Sequence, residues 1–173
     1  ASPPAHLLSD QELVALAGQA PEPHLAKRNP ALHPSTGGRP SAAETPARAA
    51  RHTTLDSLHA AVQNCAACPI GACATQAVNG SGPLGARLML VGEQPGDHEG
   101  LAGQPFIGPA GQLLDQALAR AGLNRGELFL TNAVRHFKHE LRGKRRLHKT
   151  PGQREAAACL PWLLREIDLV QPA

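Results

Sequence analysis

Apolar positions along this chain fall into short stretches separated by turn residues, and their spacing predicts alternating helices and strands. Leu55, Leu58 and Val62 share one helical face behind Thr54, which suits an N-cap, and this helix leads into Cys65. Arg87 to Val91 reads as a buried strand ending at Gly92. Pro109 sits at a helix start, and Leu113, Leu114, Ala117, Leu118 and Ala121 form a stripe that stops at Gly122. Leu128 to Val134 is the next strand. Thr150-Pro151, with Gln153 three residues after the threonine, opens a last helix carrying Cys159, Trp162, Leu163 and Ile167. Pro161 removes one hydrogen bond inside that helix and should bend it. Strand, helix and strand joined by a long connection make a right-handed parallel crossover. Two strands are too few for a stable α/β sheet, so further strands are expected beyond Ala173, and the chain reads as the front half of an α/β domain.

Composition changes the picture upstream of Thr54. Residues 1–53 hold eight of the sixteen prolines and no Phe, Trp or Tyr. Ser9 to Glu12 resembles a capping box opening a short helix to about Ala17, so 1–20 is either the end of an upstream domain or a helical patch in a tail. Pro21 to Arg51 is Pro, Ala, Gly, Ser, Arg and His without periodicity, and 21–53 is expected to be a disordered linker. The chain begins with Ala1 and ends on Gln171-Pro172-Ala173 directly after an apolar run, so both ends read as cut. With no apolar run near ~18 residues and no signal peptide, a soluble, cytoplasmic protein is expected.

A net charge of +3 on 173 residues says little, but its distribution says more. Arg135, Lys138, Arg142, Lys144, Arg145, Arg146 and Lys149 are seven of seventeen basic residues, set against one acid, Glu140. A solvated loop of no function mixes signs; this one suits phosphates. At its expected tip, just before a helix start, stands His148. Upstream, Gly92-Glu93-Gln94-Pro95-Gly96-Asp97 is a glycine-rich acidic turn directly after a strand. Together they suit a nucleic-acid strand, with cations on phosphates and a carboxylate and imidazole at one sugar or base.

The four cysteines are Cys65, Cys68, Cys73 and Cys159. Nothing marks a secreted chain, which weakens a disulfide reading. Cys65-x-x-Cys68 is a common metal pair, but a zinc site wants a second close pair. A cluster tolerates dispersed ligands, with Cys73 the obvious fourth by type and His136 an alternative. Spacing alone leaves iron–sulfur, zinc and no metal open.

Gly92-Glu93-Gln94-Pro95-Gly96, the run Gly103 to Gly111, Thr131-Asn132-Ala133-Val134 and Lys144-Arg145-Arg146-Leu147-His148 together resemble the UdgX branch of the uracil-DNA glycosylase superfamily, close to the iron–sulfur family 4 enzymes. The resemblance covers about Leu55 to Pro172. It implies a three-layer α/β/α sandwich around a four-stranded parallel sheet, with only the first two strands in this chain. It also implies a [4Fe-4S] cluster held by Cys65, Cys68, His136 and Cys159, leaving Cys73 spare, with a structural role in pinning the basic loop. The implied partner is uracil-containing DNA, single-stranded, met by a monomer.

Under that resemblance a flipped uracil stacks on Phe106, its edge is read by the amide of Asn132, and its departing carbonyl is held by backbone amides of Gln94 and Gly96. Asp97 bonds the substrate or fixes the turn. Lys144, Arg145, Arg146 and Lys149 hold DNA. In the UdgX branch the loop histidine, here His148, attacks the sugar C1′ and stays attached, with Glu93 orienting the imidazole; in family 4 enzymes water captures the sugar and the enzyme turns over. A non-catalytic nucleic-acid-binding module with a structural metal is the competing class. Leu147 stands where the branch usually has isoleucine, and the superfamily's His-Pro-Ser turn is absent, no histidine following His148. This piece alone is therefore expected to be weak or inactive.

Overall fold

The computed structural model describes residues 42–173 apart from Thr75, and for Ala72 and Cys73 the backbone only. The expected helix near Ser9 lies outside the described residues. The expected linker, 21–53, overlaps ordered structure. A 3₁₀ turn, Ala42–Glu44, leads into helix α1, Thr45–Ala50, in which Thr45 and Ala49 are buried. The cause is tertiary: Ala49 joins a core cluster with Leu58, Val62 and Trp162, the guanidinium of Arg48 lies 5.8 Å from the Trp162 ring centroid, and Arg165 donates to the carbonyl of His52. A polar, proline-bearing segment carries no periodic signal for such a dock.

Helix α2, Leu55–Gln63, starts as expected, with the Thr54 hydroxyl accepting from the Ser57 amide, and it buries Leu58 and Val62. A short helix α3, Pro69–Cys73, follows. Strand β1, Leu88–Gly92, runs parallel to β2, Leu128–Asn132, with Leu88 opposite Leu128 and Gly92 opposite Asn132. Between them lie α4, Asp97–Ala102, and α5, Pro109–Arg120. The two strands differ in burial. All five β2 residues are buried, whereas Leu88 and Val91 of β1 are 39% and 45% exposed. The expectation of a buried first strand is corrected accordingly: β2 has β1 on one side and Ser81 bridging Leu130 on the other, while among the described residues β1 pairs only with β2.

Alternation along β2 sends Leu128 and Leu130 against Leu118 and Leu114 of α5, and Phe129 against Val170 and Leu55 on the opposite face. Helices therefore cover both faces of the parallel pair, as an α/β fold requires.

The basic segment is not an irregular loop. His139–Arg142 and Arg145–His148 form an antiparallel hairpin, β3 and β4, closed by Gly143-Lys144 with Gly143 at φ 62°. His148 consequently lies at the foot of the hairpin, opposite His139, and not at its tip. The last helix, α6, is Gln153–Val170 with Gly152 as N-cap, so Thr150 and Pro151 precede it. Gly152 wins because the Glu155 carboxylate reaches back to its amide at 2.6 Å. The helix runs through Pro161 and buries Ala158, Cys159, Trp162, Leu163, Glu166 and Val170.

Candidate functional site

Both parallel strands end at the same level, and the chain turns outward there, which is where open α/β sheets form ligand crevices. A cavity of about 390 Å³ opens at these ends, within the size range of small-ligand sites. Gln94, Gly96, Asp97, Phe106, Asn132 and His148 all line it. Sequence reasoning had singled out each of these, and the fold brings them together from four separate segments. Glu93 is different: it is exposed, does not line the cavity, and its carbonyl is occupied by the Val134 amide at 2.9 Å. The side chain that hydrogen-bonds His148 is Gln94, at 2.6 Å between Nε2 atoms.

Two features place the aromatic and amide groups. A Cβ at residue 92 would collide with Oδ1 of Asn132 and lie 2.8 Å from Cζ of Phe106, so glycine there lets both side chains converge. Phe106 itself adopts φ 56°, a left-handed conformation costing a non-glycine residue about 1–3 kcal/mol. Arg125 holds it there, donating to the carbonyls of Pro105 at 3.2 Å and Phe106 at 3.0 Å while paired with Asp115.

Glu99 ties the cavity walls. Its carboxylate is 6% exposed and accepts from the amides of Gly96 (3.1 Å), Ile107 (3.1 Å) and Gly108 (2.8 Å). One side chain thereby joins the turn after β1 to the segment after Phe106. Sequence reading missed it, although a glutamate three residues into a helix opened by Gly96 is a recognisable capping position.

The hairpin forms the remaining wall, and charge pairs latch it. Arg146 Nε meets Asp97 Oδ1 at 2.7 Å, and Lys138 Nζ meets Glu155 Oε2 at 2.6 Å. Lys149 pairs with Glu140 at 3.0 Å. Lys144 and Arg145, with Arg142, are exposed around the turn. Arg135, counted with this basic run by sequence, belongs elsewhere: it is 1% exposed and bonded to Glu166 at 2.8 Å.

That pair is part of a buried network behind the strand ends. Glu166 also accepts from Thr131 at 2.6 Å and the Gly80 amide at 3.2 Å, and it bonds His59 Nε2 at 3.1 Å; Arg135 additionally donates to Thr131. Burial alone would raise the Glu166 pKa, but the His59 hydrogen bond, the Arg135 charge and the Arg135 and Thr131 hydrogen bonds outweigh it, bringing it down to about 2. Sequence placed neither residue, although Glu166 lies four residues from Trp162 on the buried stripe of α6.

The expected metal ligands lie in one neighbourhood. Cys68 and Cys159 pack together around Ile70 and Val134, and a Cβ on Gly71 would fall 2.5 Å from the Cys65 carbonyl oxygen and 3.4 Å from His136 Cε1. Burial, with Cys68 and Cys65 adding to it against the Arg135 amide and charge, pushes the Cys159 thiol up to about 11. Burial and then Arg135 lower His136 to about 4, leaving a neutral imidazole, the form that ligates metal. Soft thiols and a neutral imidazole, buried together, fit an iron–sulfur group in donor type. Their present spacing does not close on an ion: among the described residues no group of three or more His, Cys, Asp or Glu stands at metal-holding separation. The Cys73 side chain lies outside the described residues.

Residues 79–173 match the family described as the Uracil DNA glycosylase superfamily, a stretch containing the cavity, the hairpin and both parallel strands. The chain belongs to that superfamily. It is similar to type-4 uracil-DNA glycosylases from Pyrobaculum aerophilum, 41% identical over 68% of this chain and 57% of the relative, and from Thermotoga maritima, 34% identical over 70% and 60%. A third, from Sulfurisphaera tokodaii, is 36% identical over 69% of this chain and 51% of its own length. The chain thus spans a little over half the length of the curated relatives it matches. In this superfamily member no helix among the described residues is long and apolar enough to cross a membrane.

Proposed function

We propose that the protein is a uracil-DNA glycosylase that releases uracil by turnover, in the manner of the type-4 enzymes it resembles. The observation that carries this reading is the convergence of Gln94, Gly96, Phe106 and Asn132 on one strand-end cavity within the matched stretch. A uracil flipped into the cavity stacks on Phe106, and Asn132, whose amide offers both a donor and an acceptor, reads its edge. The C1′–N1 bond breaks with its electrons leaving on the base, where the backbone amide of Gln94 stabilises the charge on a carbonyl oxygen, the Gly96 amide being held by Glu99. Water then bonds to C1′ and its proton passes to the departing uracil anion, leaving free uracil and an abasic sugar. Exposed Arg142, Lys144 and Arg145 hold phosphates of the strand. Cys65, Cys68, His136 and Cys159 would hold a [4Fe-4S] cluster whose part is structural, tying α3, the segment after β2 and α6 to the base of the hairpin.

One observation favours a second reading. His148 lines the same cavity; on this reading its imidazole bonds C1′ in place of water and leaves the protein attached to the abasic sugar. A denaturing gel separates the two after incubation of the full-length protein with a uracil-containing oligonucleotide and a thymine control. Alkali-sensitive nicks with uracil alone are expected for turnover. A slow band lost in His148→Ala would replace that reading with covalent capture. Binding without either product, indifferent to uracil and steeply salt-dependent, would leave a nucleic-acid-binding module.

A further inference from the structure

The Gln94 side chain makes three hydrogen bonds, one of them to His148. Gln94 Oε1 accepts from the Lys138 amide at 3.0 Å, and Gln94 Nε2 lies 2.9 Å from the Lys149 carbonyl. A backbone N–H only donates and a carbonyl only accepts, so the amide has one possible orientation; the flipped one would set two donors and two acceptors face to face. The second Nε2 hydrogen is the one left for His148 Nε2, 2.6 Å away. An amide nitrogen has no lone pair to offer. The imidazole must therefore accept at Nε2, which requires a neutral ring with its proton on Nδ1.

The same side chain fixes the hairpin. Lys138 and Lys149 stand opposite each other at its feet, with the Lys149 amide donating to the Lys138 carbonyl at 3.0 Å. Gln94, in the turn after β1 beside buried Pro95, bonds to both.

We propose that Gln94 is a positioning residue that staples both feet of the β3–β4 hairpin and stores His148 as the neutral Nδ1–H tautomer with its Nε2 lone pair capped. The amide selects the tautomer; the hairpin staple keeps the ring within reach. On the reading in which His148 captures the sugar, DNA binding must release the Nε2 lone pair from Gln94 before a bond to C1′ can form. The stored tautomer itself does not depend on that reading.

The test is nitrogen-15 NMR of the histidine rings in the full-length protein without DNA, with His148 assigned by its loss in His148→Gln. Wild type should show a pyridine-type Nε2 and a pyrrole-type Nδ1 at neutral pH. In Gln94→Glu a carboxylate that can only accept should put a proton on Nε2, moving it to the pyrrole-type region, while His59 and His136 signals stay in place and report an intact fold. A wild-type proton on Nε2, or an unchanged pattern in Gln94→Glu, would overturn the proposal. The crosslinking gel with wild type and Gln94→Ala separates the two claims: no slow band in either removes covalent capture, while the tautomer is still decided by the ring-nitrogen shifts.

Discussion

Two buried glutamates support the strand ends in contrasting ways. Glu99 faces the cavity and is satisfied by three backbone amides. Glu166 lies behind β2 and is satisfied mainly by side chains, Arg135, Thr131 and His59, from three other parts of the chain. The first arrangement sets the shape of the backbone around a ligand. The second joins α2, β2 and α6 and so secures the platform on which that shape stands. A carboxylate on amides is easily held in position because peptide groups are already ordered by the fold. A buried ion pair needs several ordered side chains and tolerates the loss of none.

The largest effect should follow Glu166→Ala, which leaves the Arg135 guanidinium buried without its partner: a loss of about 3–5 kcal/mol, read by denaturant unfolding. An equal loss in Glu99→Ala would erase the contrast. Acid sharpens it further. The folded Glu166 carboxyl titrates near 2, below its ordinary 4.5, so its contribution is fully present above about 4.5 and is lost as pH falls from there toward 2. Unfolding curves across that window should flatten in Glu166→Gln, and an unchanged slope would remove Glu166 as the source.

Next comes Glu99→Gln. A carboxamide has one accepting oxygen where the carboxylate has two, so its NH₂ must face an amide N–H; about 1–3 kcal/mol should be lost, and with it, on the proposed function, uracil release. Wild-type uracil release in that variant would separate Glu99 from cavity shape. If Cys65, Cys68, His136 and Cys159 hold the proposed cluster, its removal should leave both glutamates paired but loosen residues 139–148, seen as faster limited proteolysis there. The smallest effect should come from Asp97→Asn, since its pair with Arg146 is partly solvated: about 1 kcal/mol or less, diminishing in high salt.

Much of the cavity was legible because its residues sit in short motifs whose chemistry is local. A glycine turn after a strand and a histidine among cations announce themselves by type and spacing, whereas Phe106 and Asn132 were named through the family resemblance. Glu93 shows what local reading leaves undecided, namely which side chain of the turn meets the imidazole. Glu93 and Gln94 both sit in the bend after β1, and it is the Gln94 side chain that reaches His148. Arg135 was misplaced, since a run of basic residues hides the one whose partner lies thirty-one residues later on another helix.

Hydrophobic period, caps and turn residues in the sequence by themselves determined the β1–α5–β2 unit, the start of α2 and the strand ends as the place for chemistry. These are short-range consequences of backbone geometry and burial. Only the tertiary structure decided that residues 45–50 dock on Trp162, that the basic stretch folds into a hairpin with His148 at its foot, and that Glu99, Glu166 and Gln94 hold the site. Each of those depends on partners distant in sequence, and a buried polar group is stable only where such partners meet it.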